Sequence, residues 1–109
     1  MNWIQLNTLE QLESIKEKSQ ATPQLIFKHS TRCSISTMAL NRFERATTKP
    51  EIDFYFLDLI ANRQISNAVA EQFKVYHESP QILLIKNGEC IYDESHNGIL
   101  MDELIEQLA

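Results

Sequence analysis

A chain of 109 residues that is 43% hydrophobic and 23% charged has the length and composition of one soluble globular domain, and neither a disordered nor a fibrous character. Its net charge of -5, from 10 basic and 15 acidic residues, argues against nucleic acid as a partner, which would need a basic face. No apolar run approaches the roughly 20 residues needed to span a membrane, and the N-terminus MNWIQLNTLEQ lacks the basic flank and apolar segment of a secretory signal, so a cytoplasmic location with no membrane partner is expected.

In chain order, residues 2–6 (NWIQL) read as a short strand, and Thr8 with Gln11 forms a capping-box pattern ahead of the helical series Leu9, Leu12 and Ile15. Pro23 closes the next loop, and Leu25 to Phe27 read as a buried strand ending at Lys28 and His29. After Cys33, the residues Ile35, Met38, Ala39 and Phe43 fall at helical spacing until TTKP, Thr47 to Pro50, so a second helix is expected to begin at the cysteine. DFYFLDL, residues 53–59, is almost continuously apolar, as suits a central strand covered on both faces. Asn62 stands as a cap for a third helix carrying Ile65, Val69 and Phe73. Pro80 precedes the strand QILLIK, and Asn87-Gly88 signals a tight hairpin into ECIYD, which makes the last two strands antiparallel. Gly98 breaks the chain before a last helix bearing Leu100, Leu104, Ile105 and Leu108.

Alternating strands and helices imply parallel pairing with right-handed crossovers, and the terminal hairpin adds an antiparallel edge. The expected fold class is therefore α/β: a three-layer sandwich in the thioredoxin-like order, with a mixed central sheet of about four to five strands flanked by about four helices. A single domain is expected over residues 1–109.

The stretch HSTRCSIS, His29 to Ser36, places one of the two cysteines at the strand-to-helix junction. A thiol attacks as thiolate, and an unassisted cysteine, with a pKa of about 8.5, is mostly protonated at neutral pH. The first turn of a helix offers unpaired backbone N–H groups and the positive end of the macrodipole, both of which favour an anion. Arg32 adds adjacent positive charge, Ser34 and Ser36 together with Ser30 and Thr31 could offer hydrogen bonds to the sulfur, and His29 lies four residues upstream as an orienting or acid-base group. Ser36 occupies the place of the second cysteine in C-x-x-C and cannot form a disulfide. Cys33 would then accept a thiol adduct itself and wait for a separate thiol to release it. Cys90 sits in a strand without a basic neighbour and reads as core packing, while His77 and His96 read as surface residues. These scattered groups lack metal-ligand spacing, so no metal is expected.

The run Lys28-His29-Ser30-Thr31-Arg32-Cys33-Ser34-Ile35-Ser36, with Ser79-Pro80 and the Asn87-Gly88 hairpin, resembles over nearly the whole length the monothiol bacilliredoxins, the YtxJ-type branch of the thioredoxin superfamily. Members typically carry a T-C-P-I-S-like motif after a KHS strand end, and Ser34 stands here where that proline is usual. The resemblance implies that Pro80 is cis and faces the redox cysteine, and that the backbone of Ser79 pairs with a bound thiol or peptide. It also implies that Cys33 removes bacillithiol, or a similar low-molecular-weight thiol, from mixed disulfides on cytosolic proteins in an oxidative-stress role. No tightly bound cofactor is implied: the small thiol is a co-substrate, S-thiolated proteins are the partners, and a monomer is expected. Other readings of the same residues stand open. Cys33 could be a buried structural cysteine, the domain could be a non-catalytic thioredoxin-like module docking a partner through the same groove, or Cys33 and Cys90 could pair in a redox sensor.

Overall fold

The computed structural model describes residues 1–109. Its elements are β1 (Trp3–Gln5), α1 (Leu9–Lys18), β2 (Gln24–His29), α2 (Ser34–Glu44), β3 (Asp53–Asp58), α3 (Arg63–Phe73), β4 (Gln81–Lys86), β5 (Glu89–Ser95) and α4 (Met101–Glu106). A 3-10 turn at His96–Gly98, which no sequence pattern announces, precedes α4. The five strands form one sheet in the order β1-β3-β2-β4-β5. β1 and β2 run parallel to β3, whereas β4 is antiparallel to β2 and β5 antiparallel to β4. The mixed sheet agrees with the α/β sandwich expected from the element order.

Burial follows the period of two along the central strands. Leu25 and Phe27 of β2 join Ala39 and Phe43 of α2 and Leu104 of α4 on one face. Ile26 joins Leu12 and Ile15 of α1 and Val69 and Phe73 of α3 on the other. Both faces of β2, β3 and β4 are thus covered, which is why these segments read as continuous apolar runs and not as alternating ones. Trp3 closes one edge of the α2 side. Its ring stacks on Phe43 and meets Phe27, Phe54 and Phe56 edge-on, and its Nε1 donates to Glu44 Oε2 at 2.7 Å.

Local signals are realised in most places. The capping box of α1 is present: Gln11 N donates to Thr8 Oγ1 at 3.3 Å, and Thr8 N donates to Gln11 Oε1 at 3.0 Å. Asn87 (φ 53) and Gly88 (φ 79) supply the two left-handed residues that a tight hairpin needs. Asn62 does precede α3, but its side chain makes no capping bond and donates instead to Asp58 O at 3.3 Å. The helical spacing along α2 is also real, yet Ile35 and Met38 point to solvent, and the buried stripe runs through Ser36, Ala39 and Phe43. Leu108 lies beyond the end of α4 and Leu100 at its N-cap, so the last helix is shorter than its apolar residues suggest.

Two polar side chains at the end of the sheet secure the loop before β4. Lys28, fully buried, and Gln81, 1% exposed, are cross-strand partners on β2 and β4. Gln81 Nε2 donates to Tyr76 O at 3.0 Å, and Gln81 Oε1 accepts from Glu78 N at 3.4 Å. Lys28 Nζ lies 3.3 Å from Nδ1 of His77, so this otherwise exposed histidine is anchored on its inner side. Lys28 has no carboxylate partner, because the one ion pair in the chain joins Lys16 and Glu13. Burial therefore pushes the Lys28 ammonium down to about 8.

Leu83 fills the α1/α3 side of β4 without exposure. Leu83→Ala is expected to cost about 2–5 kcal/mol in urea unfolding, through lost burial and a residual cavity. A buried unpaired cation acts in the opposite sense. Because the folded pKa of Lys28 is about 8 against an ordinary 10.5, the unfolded chain holds more protons between those values. Through that window this group's contribution to stability rises with pH, and the full penalty is present at pH 7, where both states are charged. Lys28→Met should accordingly stabilise the protein at pH 7 by about 1–3 kcal/mol, with the advantage shrinking toward about pH 10. Denaturant titrations of both proteins at neutral and alkaline pH check this, and a gain that grows with pH would contradict it.

Candidate functional site

Antiparallel pairing of Lys28 with Gln81 sets the C-terminal end of β2 and the N-terminal end of β4 side by side. The segment that carries Cys33 follows the first, and Ser79-Pro80 leads into the second. The topology therefore brings both to one end of the sheet.

β2 passes into α2 through a turn in which Cys33 N donates to Ser30 O at 3.2 Å. Cys33 is the N-cap residue of α2 with extended backbone (φ -110, ψ 119), and its carbonyl accepts from Thr37 N at 3.1 Å. A capping side chain at this position normally accepts from the N–H groups of the second or third helical residue. The Cys33 side chain makes no such bond, so a free, half-buried thiol stands at the positive end of the helix. Ser34, exposed, is the first residue of the helix. That position tolerates proline because its N–H is not used within the helix, so the serine keeps a backbone donor that proline would lack. Arg32 is exposed and free of ion pairs.

Ser36 is fully buried one turn into α2, three residues after the cysteine. Its hydroxyl does not bond the sulfur as the sequence suggested. Oγ accepts from Ser30 N at 3.1 Å and lies 2.7 Å from Nδ1 of His29. Both groups are satisfied when the hydroxyl proton points at Nδ1 and the imidazole carries its hydrogen on Nε2. His29 itself is 5% exposed, with its ring centroid 5.4 Å from that of Phe56 and 6.5 Å from that of Phe27. Burial lowers its pKa below the usual imidazole value, with Asp58 and then Glu44 partly opposing, so the ring is neutral at pH 7. The His29–Ser36 contact is thus a neutral strap between the end of β2 and the first turn of α2.

The Ser79-Pro80 peptide bond is cis, and Pro80 O accepts from His96 N at 3.2 Å. Ser79 is half-buried, and its Oγ is shielded from solvent without a protein partner. Lys28 and Gln81, which hold residues 76–78 beneath this bond, are site-supporting residues that the sequence reading passed over. A lysine and a glutamine at the ends of strands buried on both faces were the available signal.

Cys90 lies elsewhere. It pairs with Ile85 near the far end of β4, packs against the α1/α3 core, and donates its S–H to Tyr92 O at 3.4 Å. Burial pushes its thiol up to about 11. Both cysteines are free. From the Gln81 end of β4 to Ile85 the strand advances roughly 13 Å, whereas bridged cysteines have Cα atoms within about 7 Å. The sheet thus sets Cys90 at the end of β4 away from the one beside which Cys33 lies, an arrangement that does not favour pairing of the two.

Comparison with known proteins bears on the whole of this arrangement. The family described as monothiol bacilliredoxin BrxC matches residues 4–104. A solved structure described as a proposed oxidoreductase with a thioredoxin fold is 29% identical, with a TM-score of 0.85 over 97% of this chain and 93% of the other. Thioredoxin from Trypanosoma brucei brucei shares the fold at 15% identity, with a TM-score of 0.77 over 98% of this chain and 91% of its own. Thioredoxin from Malassezia sympodialis does so at 19% identity, with a TM-score of 0.73 over 98% and 88%. The family match runs from β1 into α4, across both the cysteine and the cis-proline, and the chain accordingly belongs to the monothiol bacilliredoxin family of thiol oxidoreductases built on the thioredoxin fold.

Proposed function

We propose that Cys33 removes bacillithiol, or a similar low-molecular-weight thiol, from mixed disulfides on cytosolic proteins. The observation that carries this reading is the Cys33 thiol, half-buried and free of hydrogen bonds at the N-cap of α2, with a buried serine in the resolving position. Such a sulfur can attack, but the chain offers it no second thiol within reach. The sulfur of Cys33 forms a bond to the small-thiol sulfur as the bond to the target cysteine breaks, and the target leaves as a thiolate that takes up a proton from water. A second small-thiol thiolate then attacks the adduct, forming the symmetrical small-thiol disulfide and releasing Cys33.

The surrounding residues support each step. His29 and Ser36 act by holding the first turn of α2 against β2, which keeps the sulfur in one place relative to the cis-proline. The backbone of Ser79 offers strand-like pairing to the bound disulfide, and its shielded, unpartnered hydroxyl offers a further polar contact. Arg32 contributes charge from an exposed position, where its effect on the reacting sulfur is small. The protein is taken to act in the cytoplasm as a monomer, with no bound cofactor.

Reduced protein mixed with bacillithiol disulfide, or with glutathione disulfide, should gain one adduct by intact mass, located on Cys33 by peptide mapping. Cys33→Ser should lower exchange by at least about 100-fold, while Cys90→Ser stays within about twofold of the parent. Activity that survives in Cys33→Ser would sink the assignment, and absence of any adduct would favour a docking module without catalysis. Ser36→Cys should close an internal disulfide with Cys33 on oxidation, and a non-reducing mass that retains two free thiols in that pair would contradict the resolving-position geometry.

A further inference from the structure

Helix α2 leaves two large apolar side chains in solvent immediately after the cysteine, Ile35 at 54% and Met38 at 65% exposure. They share a flank of the helix with Arg42, as residues three and four apart do. Across from that flank lies the 3-10 turn. Between them is a cavity of about 330 Å³ lined by Ile35, Met38, Ala39, Arg42, His96 and Asn97. It falls at the small end of the range of ligand pockets, about 300–1,000 Å³, which suits a compact molecule better than a folded partner.

The walls of this cavity are tied in place. Arg42 Nε donates to Ile99 O at 3.2 Å and its Nη2 donates to His96 O at 3.0 Å, leaving Nη1 uncommitted. Asp102 borders a neighbouring cavity with Arg42 but makes no ion pair with it. His96 has a left-handed backbone (φ 54), and its N–H donates to Pro80 O at 3.2 Å. One wall of the cavity, at His96, is thereby tied to the backbone of the cis-proline, and the other begins with Ile35 in the first turn after Cys33. The lining holds a cation and an imidazole but no acid, in a protein whose net charge is -5. Along α2 the rise from Cys33 to Arg42 is roughly 13 Å, and helical side chains lean back toward the N-terminus, which brings the guanidinium nearer the sulfur.

We propose that this cavity is the subsite for the body of an anionic low-molecular-weight thiol whose sulfur is bonded to Cys33. Arg42 pairs with a carboxylate of that thiol, and Ile35 and Met38 cover its carbon chain. The proposal rests on the reading of Cys33 as the exchanging nucleophile. It concerns the adduct stage: after the bond from Cys33 to the small-thiol sulfur has formed and the target thiolate has left, the adduct lies along α2 until a second small thiol attacks its sulfur and departs with it as the symmetrical disulfide. Charge complementarity at Arg42 makes the site select among small thiols, independently of the target protein.

The test compares rate constants for adduct formation on Cys33 with an anionic probe, glutathione disulfide, and a neutral one, 2-hydroxyethyl disulfide. Arg42→Gln should reduce the anionic-to-neutral ratio by about tenfold, and Arg42→Lys should restore most of it. Because Arg42 also bonds two backbone carbonyls, a second variant is needed. Met38→Glu leaves those bonds intact, alters a solvent-exposed residue, and should reduce the ratio in the same direction by repelling the probe. An unchanged ratio in both Arg42→Gln and Met38→Glu overturns the subsite. So does an effect confined to exchange with a glutathionylated protein, which would assign the cavity to the protein partner. If wild-type Cys33 reacts with neither probe, the exchange reading fails and the subsite with it, an outcome distinct from reaction without charge preference.

Discussion

The constraint on which the rest of the structure depends is that β2 is buried on both faces. Leu25 and Phe27 go to the α2 side and Ile26 to the α1 side, and β3 and β4 pair along the two edges of the strand. A one-residue slip would exchange the faces and carry every one of these side chains into the wrong core, so the register is strongly specified. That register decides where the strand ends and what stands beside its end. Lys28 meets Gln81, and the chain that leaves His29 toward the cysteine emerges next to the chain that arrives through Ser79 and Pro80. The placement of the Cys33 thiol is thus a consequence of how the middle of the sheet packs.

At that end of the sheet polar groups replace apolar ones, and each has a structural task. His29 and Ser36 bond each other where α2 meets β2, and Ser36 also takes the backbone N–H of Ser30. Lys28 and Gln81 hold the loop before the cis-proline from the opposite face. A buried hydroxyl that is already committed to a neutral imidazole and a backbone donor has no free geometry to serve the sulfur. The serine in the resolving position therefore does more than lack a thiol: it locks the turn that presents Cys33. The lack of a second thiol and the bonding of the turn come from the same residue.

How much of this was legible depended on whether the signal was local. The Thr8–Gln11 capping box and the Asn87-Gly88 turn are satisfied by residues adjacent in sequence, and both are realised. Asn62 shows the limit of such reasoning, because a nearby carbonyl at Asp58 claimed the side chain that should have capped α3. Along α2 the period was readable but the phase was not. Ile35 and Met38 are as apolar as Phe43, and only the docking of α2 on the sheet, which takes Ala39 and Phe43 against Leu25 and Phe27, determines which flank is covered. Ser36 was recognised by its spacing from Cys33, yet its bonding partners lie across a turn whose path the spacing does not encode.

By itself the sequence determined the succession of strands and helices, the thiol at a strand-to-helix junction, the serine in place of a second cysteine, and the family resemblance of the segment around them. These follow from periodicity, turn chemistry and residue identity, all of which act within a few positions. Tertiary structure alone decided that Lys28 is buried without a counter-ion, that Cys90 lies at the distant end of the hairpin, that Ser36 faces His29, and that Arg42 and His96 close a cavity beside the cysteine's helix. Each of these depends on groups far apart in the chain, whose meeting is set by sheet order and helix packing and so has no local signature to read.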